Sequence, residues 1–224
     1  MQPSNEARII DSWRRNCTPW VAAVCQGRIE SRALVTNQAI IDAVTSCCPR
    51  TVLDIGCGEG WLVRELAALG IQAMGVDAVP ALIEQARVGG GNFQVASYQD
   101  IADGALKVPV DMLVCNFSLL GEHSVDRLVR TAPSQLQAGG TLVVQTLHPQ
   151  MACGDQPYRD GWREGSWDGF EGSFRDPAPW YFRTLESWTR LFHRSGLHVR
   201  ALREPLHPVS GKPVSVIFIA QPTR

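Results

Sequence analysis

The 224-residue sequence has no apolar run that could cross a bilayer. Its longest, such as Val216 to Ala220, are strand-sized, against the ~20 residues a spanning helix needs. No run of five like charges occurs, and 21 Lys plus Arg stand against 22 Asp plus Glu, a formal net charge of -1. A protein that tracks a phosphate backbone normally carries a basic excess, so nucleic acid is not an expected partner. The seven cysteines are odd in number and contain no Cys-x-x-Cys pair: Cys47 and Cys48 are adjacent, and Cys17 and Cys25 stand eight apart. That pattern predicts reduced, packed thiols and no metal or redox site. Met1 to Glu6 lack the basic start and apolar stretch of a secretory signal, so a cytoplasmic chain is expected. What is present, 45% hydrophobic residues, can fill one large core without disulfides or a structural metal.

Residues 1–50 read as helical. Ile9, Ile10 and Trp13 share a helical face, Thr18-Pro19 reads as a cap followed by proline at the first helical position, and a helix after Thr36 should carry Ile40, Ile41 and Val44 inward. From Thr51 short apolar strands alternate with helices, the pattern of a mostly parallel sheet covered on both faces. Strands are predicted at 51–55, 72–76, 92–96, 110–115 and 141–146, with helices at 60–69, 80–87 and 125–136. Pro133 should kink the last helix or delay its start. After His148, Gly and Pro interleave with Trp162, Trp167, Phe170, Phe174 and Trp180, predicting a long structureless loop of the lid or binding type. A helix at 184–194 and an antiparallel hairpin of strands 197–203 and 214–220 close the chain.

The chemistry is carried by Val52-Leu53-Asp54-Ile55-Gly56-Cys57-Gly58-Glu59-Gly60-Trp61, a strand ending in a glycine-rich turn that opens a helix. Such a turn lets the backbone approach a flat or anionic ligand closely, beside unpaired helix N–H groups. Asp77 follows Gly60 by 17 residues at the end of the second strand, where a carboxylate can accept both ribose hydroxyls of an adenosine-containing ligand. A dinucleotide site needs a third glycine where this sequence has Trp61, which weighs against an NAD(P)-dependent oxidoreductase.

On these residues the sequence resembles the class I S-adenosylmethionine-dependent methyltransferases, particularly small-molecule members related to the ubiquinone- and biotin-pathway enzymes, from about Thr51 to Ala220. Val110 to Asn116 resembles the family's fourth strand, Leu136 to Thr146 with Gly139-Gly140 its fifth, and Trp180 to Leu185 the entry to its final hairpin. The resemblance implies a Rossmann-like three-layer α/β sandwich: a mostly parallel seven-stranded sheet with a C-terminal antiparallel hairpin. It implies a methyltransferase domain at 51–224 with a substrate-side insertion at 148–183, and N-terminal capping helices (1–50) over the cofactor site. It also implies S-adenosyl-L-methionine as cofactor and S-adenosyl-L-homocysteine as product. Asp54, Gly56 and Gly58 match residues around the methionyl part and Asp77 matches the ribose acid, with Cys57, Ala78, Ser97, Tyr98 and Asn116 completing the expected set. Where the family often has an acid for the adenine, this chain has Ser97-Tyr98, with Asp100 one turn later as the candidate carboxylate.

The implied activity is methyl transfer to a small molecule by direct displacement, in a monomer or homodimer with no metal, nucleic-acid or membrane partner. The rivals are the oxidoreductase, an aminopropyl transferase and a non-catalytic S-adenosylmethionine-binding protein. His148, just after the fifth strand, could deprotonate or orient an acceptor, or be a loop histidine bonded to a neighbouring carbonyl. Glu122 and His123 are the alternative bases. Arg28 or Arg32 could pair with the carboxylate of the cofactor or of an acidic substrate, or form a surface ion pair. Trp13, Trp20, Trp167, Phe170, Trp180 and Tyr181 are the expected acceptor walls. The interleaved acids Asp155, Asp160, Glu164, Asp168 and Glu171 suggest an acceptor with a polar or basic portion.

Overall fold

The computed structural model describes residues 3–106 and 109–223. Helices α1 (Asn5–Arg15), α2 (Cys17–Cys25) and α3 (Asn37–Thr45), the last preceded by a π-helical turn at Arg32–Thr36, lead into the sheet. The sheet elements follow as β1 (Thr51–Ile55), α4 (Trp61–Ala68), β2 (Gln72–Asp77), α5 (Pro80–Val88), β3 (Asn92–Val95), α6 (Tyr98–Ala102), β4 (Val110–Asn116), α7 (His123–Gln135) and β5 (Leu136–Leu147). After them come α8 (Pro149–Ala152), β6 (Gly161–Arg163), β7 (Trp180–Phe182), α9 (Leu185–Arg194), β8 (Leu197–Arg203) and β9 (Ser215–Pro222).

Seven strands form one sheet in the order β3-β2-β1-β4-β5-β9-β8. The first five run parallel, and β9 inserts antiparallel between β5 and β8. Alternating side chains divide between two cores. Val52, Met112, Val114, Val143 and Ile217 pack with Ile40 and Val44 of α3 and Leu62 and Leu66 of α4. Their neighbours Leu53, Leu113, Cys115, Val144 and Phe218 pack on the other face with Ile101 of α6, Leu128 of α7 and Phe192 of α9. The period-2 alternation of strands that are apolar on both sides thus builds three layers. Strand order reverses between β1 and β4, which makes their carboxyl ends the crevice where ligands bind in such sheets. No helix among the described residues is long and apolar enough to cross a membrane.

Several details differ from the sequence reading. The helix expected at 125–136 begins at His123 and runs through Pro133, so proline neither delays its start nor ends it. The N-cap of α2 is Asn16, not Thr18, and its side chain does not cap the helix because it is used elsewhere. Segment 148–183 is not structureless: it contains α8 and the two-stranded antiparallel ribbon of β6 and β7.

Candidate functional site

The turn after β1 is shaped by contacts that exclude side chains. Gly56 has φ +77°, and a Cβ there would lie 2.4 Å from Ser118 Cβ. Gly60, at φ +83°, would bring one within 2.4 Å of the Phe93 ring. Asp77 holds this turn to the end of β2: one carboxylate oxygen accepts from Gly58 N (3.0 Å) and the other from Val79 N (2.8 Å). From the β4 side, Ser118 Oγ donates to Ile55 O (2.6 Å) and Tyr98 Oη donates to Ser118 O (2.7 Å). Phe117, just before Ser118, sits at φ +53°, a conformation that costs on the order of 1–3 kcal/mol in a non-glycine residue and concentrates at functional sites.

A cavity of about 570 Å³ opens above this turn. Trp20 of α2 reaches the loop, its Nε1 donating to Glu59 Oε2 (3.2 Å). Its ring meets Trp13 edge-on at 5.0 Å, and Trp13 meets Trp167 at 5.8 Å. Phe170 lies 5.5 Å from Trp167 and 6.3 Å from Trp20, so helices from the start of the chain and the 148–183 segment share one aromatic wall. Polar contacts hold the two together. Asn16 Nδ2 donates to Arg175 O and its Oδ1 accepts from Arg175 N, Ser12 Oγ donates to Asp176 O, and Arg15 pairs with Asp176 at 2.6 Å. Glu6 bridges differently: its carboxylate accepts from Glu122 N, Ser124 N and Ser124 Oγ. It thereby caps α7, whose own N-cap residue makes no side-chain cap bond.

Buried charge gathers behind the loop. Asp54 is 2% exposed and its Oδ1 has no partner; burial first, then the neighbouring Glu59 and Asp77, push its carboxyl up to about 8, with Arg32 opposing. Burial also raises Asp77, against the two backbone N–H groups that hold its charged form. The Arg32 guanidinium lies over the rings of Trp61 (5.0 Å) and Trp20 (5.5 Å), and its Nε donates to Asn37 Oδ1. Burial lowers its pKa, with Glu59 and Asp54 opposing, and its Nη2 is buried without a partner. Glu59 Oε1 and Asn116 Oδ1 are likewise buried and unpaired. Burial raises the Cys57 and Cys115 thiols, so neither is a nucleophile at neutral pH.

Most of the residues singled out from sequence line this one cavity: Arg32, Gly56, Cys57, Gly58, Asp77, Ala78, Ser97, Tyr98 and Asn116 toward the loop, and Trp13, Trp20, Trp167, Phe170, Trp180 and Tyr181 toward the aromatic wall. Asp54 backs the loop without lining the cavity. Three expectations are corrected. His148 is not on the wall: Thr146 and Leu147 line it, while the His148 ring is buried with Nε2 2.7 Å from Glu204 Oε1, beyond β8. Arg28 is exposed and outside the lining; Arg32, four residues later, lines the cavity. Asp100 stays outside the lining, its carboxylate accepting from Ser97 N and Ser97 Oγ in a capping box for α6. Glu122 and His123 also lie outside it, with Glu122 accepting from Trp162 Nε1.

Sequence reasoning missed Glu6, Glu59, Trp61, Ser118 and Arg183, all of which line the cavity. Only Glu59 and Trp61 had a sequence signal, since they stand inside the glycine-rich motif. The indole of Trp61, at the position a dinucleotide site would give to glycine, is the platform under Arg32.

A family model described as a methyltransferase domain matches residues 33–202. The chain is 36% identical over 109 residues to a ubiquinone biosynthesis O-methyltransferase of Xanthomonas campestris pv. campestris (strain B100), covering 46% of this chain and 45% of that protein. It therefore spans less than half the length of the curated relatives it matches first. Its fold is similar to that of an S-adenosylmethionine-dependent methyltransferase from Mesorhizobium loti, with TM-score 0.60 and 22% identity over 80% of this chain and 95% of that one. It is also similar to the glycopeptide N-methyltransferase MtfA, whose structure holds S-adenosyl-L-methionine, with TM-score 0.64 and 15% identity over 83% of this chain and 86% of that one.

Proposed function

The chain belongs to the methyltransferase-domain family, and from that premise we propose that it transfers a methyl group from S-adenosyl-L-methionine to a small-molecule acceptor by direct displacement. The observation that carries this reading is the set of unpartnered buried atoms around a turn that admits no Cβ: Arg32 Nη2, Glu59 Oε1 and Asn116 Oδ1 beside Gly56. Buried polar groups are ordinarily satisfied, and a donor with two acceptors fits a zwitterionic amino-acid end. Arg32 Nη2 would take its carboxylate, and Asn116 Oδ1 and Glu59 Oε1 its ammonium. Asp77 keeps lone pairs beyond the two it gives to Gly58 and Val79, enough to accept ribose hydroxyls.

When bound, the cofactor supplies an electrophilic methyl on a sulfonium that leaves as a neutral thioether. The protein's part is alignment and exclusion of water, and alignment alone can be worth roughly 7–11 kcal/mol. Asp77 would fix the ribose, the glycine turn with Arg32 the amino-acid end, and the aromatic wall the acceptor. Residues 1–50 form the cap and 148–183 the substrate side, joined through Asn16 and Arg175. The working form is a monomer or homodimer in the cytoplasm, in keeping with seven free cysteines.

Calorimetric titration with S-adenosyl-L-methionine and S-adenosyl-L-homocysteine tests the reading. Saturable heat with both ligands is expected; no heat with either, or stronger binding of a nicotinamide dinucleotide, would contradict it.

A further inference from the structure

The charged groups around the acceptor half of the cavity are already committed. Arg183 donates to Gly121 O, Glu122 O and Asp126 Oδ1, each at 2.8 Å, and lies over the rings of Tyr181 (4.7 Å) and Trp188 (5.2 Å). The Glu6 carboxylate is taken up by the first turn of α7. Among the described residues no histidine or lysine lines the cavity, and His148 turns to Glu204. Among the described residues lining this half, no side chain is free to hold an anionic acceptor or to take the proton of a hydroxyl. The wall consists instead of the rings of Trp13, Trp167 and Phe170, joined to Trp20, whose ring already carries the Arg32 guanidinium. Aromatic faces favour positive charge and repel negative charge.

Resting on the methyl-transfer reading above, we propose that the acceptor is a weakly basic, mainly apolar amine and that the reaction is N-methylation. The nitrogen lone pair forms the N–C bond as the C–S bond breaks and its electron pair stays on sulfur. Positive charge passes from sulfur to nitrogen, and any proton on that nitrogen leaves to water afterwards. During the displacement charge is relocated within the aromatic enclosure and not cancelled, so the same rings stabilise both ends of that step. A weakly basic amine already has its lone pair free near neutral pH, so the missing base is not needed. A phenol or carboxylate acceptor would require either a base or a cation to hold its anion.

The test uses the intact protein saturated with S-adenosyl-L-homocysteine, after calorimetry has established that the loading occurs. Tryptophan fluorescence is then followed on titration with three probes of one scaffold: 3-hydroxyphenyltrimethylammonium, 3-tert-butylphenol and 3-hydroxybenzoate. The trimethylammonium and tert-butyl groups have the same shape and differ in charge. The cation is expected to bind about tenfold more tightly than the tert-butyl compound, with hydroxybenzoate weakest. Equal or tighter binding of the neutral or anionic probe, or binding of none of the three, overturns the amine assignment and leaves methyl transfer standing. Failure of the homocysteine compound to load takes down both readings, and it is seen before any probe is added.

Discussion

Asn16 pairs with both edges of the Arg175 backbone: its Nδ2 donates to Arg175 O at 2.7 Å and its Oδ1 accepts from Arg175 N at 2.9 Å. A fully buried side-chain amide thus stands in for a β-strand neighbour and holds the 148–183 segment to the first helices. Asn16→Ala leaves both backbone groups without that partner, at about 1–3 kcal/mol for each one that stays buried. Hydrogen exchange should show faster exchange across 164–176, and melting should occur at lower temperature, with the sheet's own protection unchanged.

Gly56 and Gly139 have nearly the same left-handed backbone, φ +77° and +79°, but differ in surroundings. A Cβ at Gly139 meets nothing within 4 Å, so Gly139→Ala should cost only the backbone term of ~1–2 kcal/mol in urea denaturation. Gly56→Ala adds a collision with Ser118 and should cost more, and it should also abolish measurable binding of S-adenosyl-L-homocysteine.

Asp77→Ala removes the carboxylate that receives Gly58 N and Val79 N. Loss of charge-assisted hydrogen bonds to the ligand is worth roughly 1.5–3 kcal/mol, so calorimetry should find binding weakened by about 10- to 150-fold. Unchanged affinity would remove Asp77 from the ribose.

Asp54 gives the ligand-free protein a pH dependence of definite sign. Its carboxyl titrates near 3.9 when unfolded and at about 8 when folded, so between those values the folded state binds more protons. The stability this contributes is complete below about pH 4 and is lost as pH rises through 8, at up to ~1.4 kcal/mol per unit. Asp54→Asn should flatten the urea midpoint over that window and be more stable than the parent at pH 8.

His148→Gln should leave turnover largely intact, because the ring faces Glu204 and not the cavity. A general base would be worth roughly 10²- to 10⁴-fold, so a loss of that size in kcat would return His148 to the chemistry.

The glycine-rich turn, Asp77 and the closing hairpin are legible in the sequence because each is decided within a few residues: strand pattern, glycine spacing, an acid at a strand end. His148 is not, because whether a side chain beyond a strand faces the crevice depends on where the chain turns next, and Pro149 starts α8 at once. Arg28 and Arg32 look equivalent in sequence; the π-helical turn that begins at Arg32, together with the indoles of Trp20 and Trp61, selects the second. Glu6 reads as an ordinary first-turn acid of α1, and nothing local signals that its oxygens cap a helix 116 residues away.

That remote cap couples two motions usually thought of separately. If α1 lifts to let a product leave, the first turn of α7 loses its acceptor at the same moment, and a cap is worth ~1 kcal/mol, or about a fivefold change in population. Residence of a bound ligand would then depend partly on α7, whose first turn lines the same cavity as the glycine turn. Small carboxylate solutes that compete for the exposed N–H groups of Glu122 and Ser124 would hasten exit without touching the reaction itself.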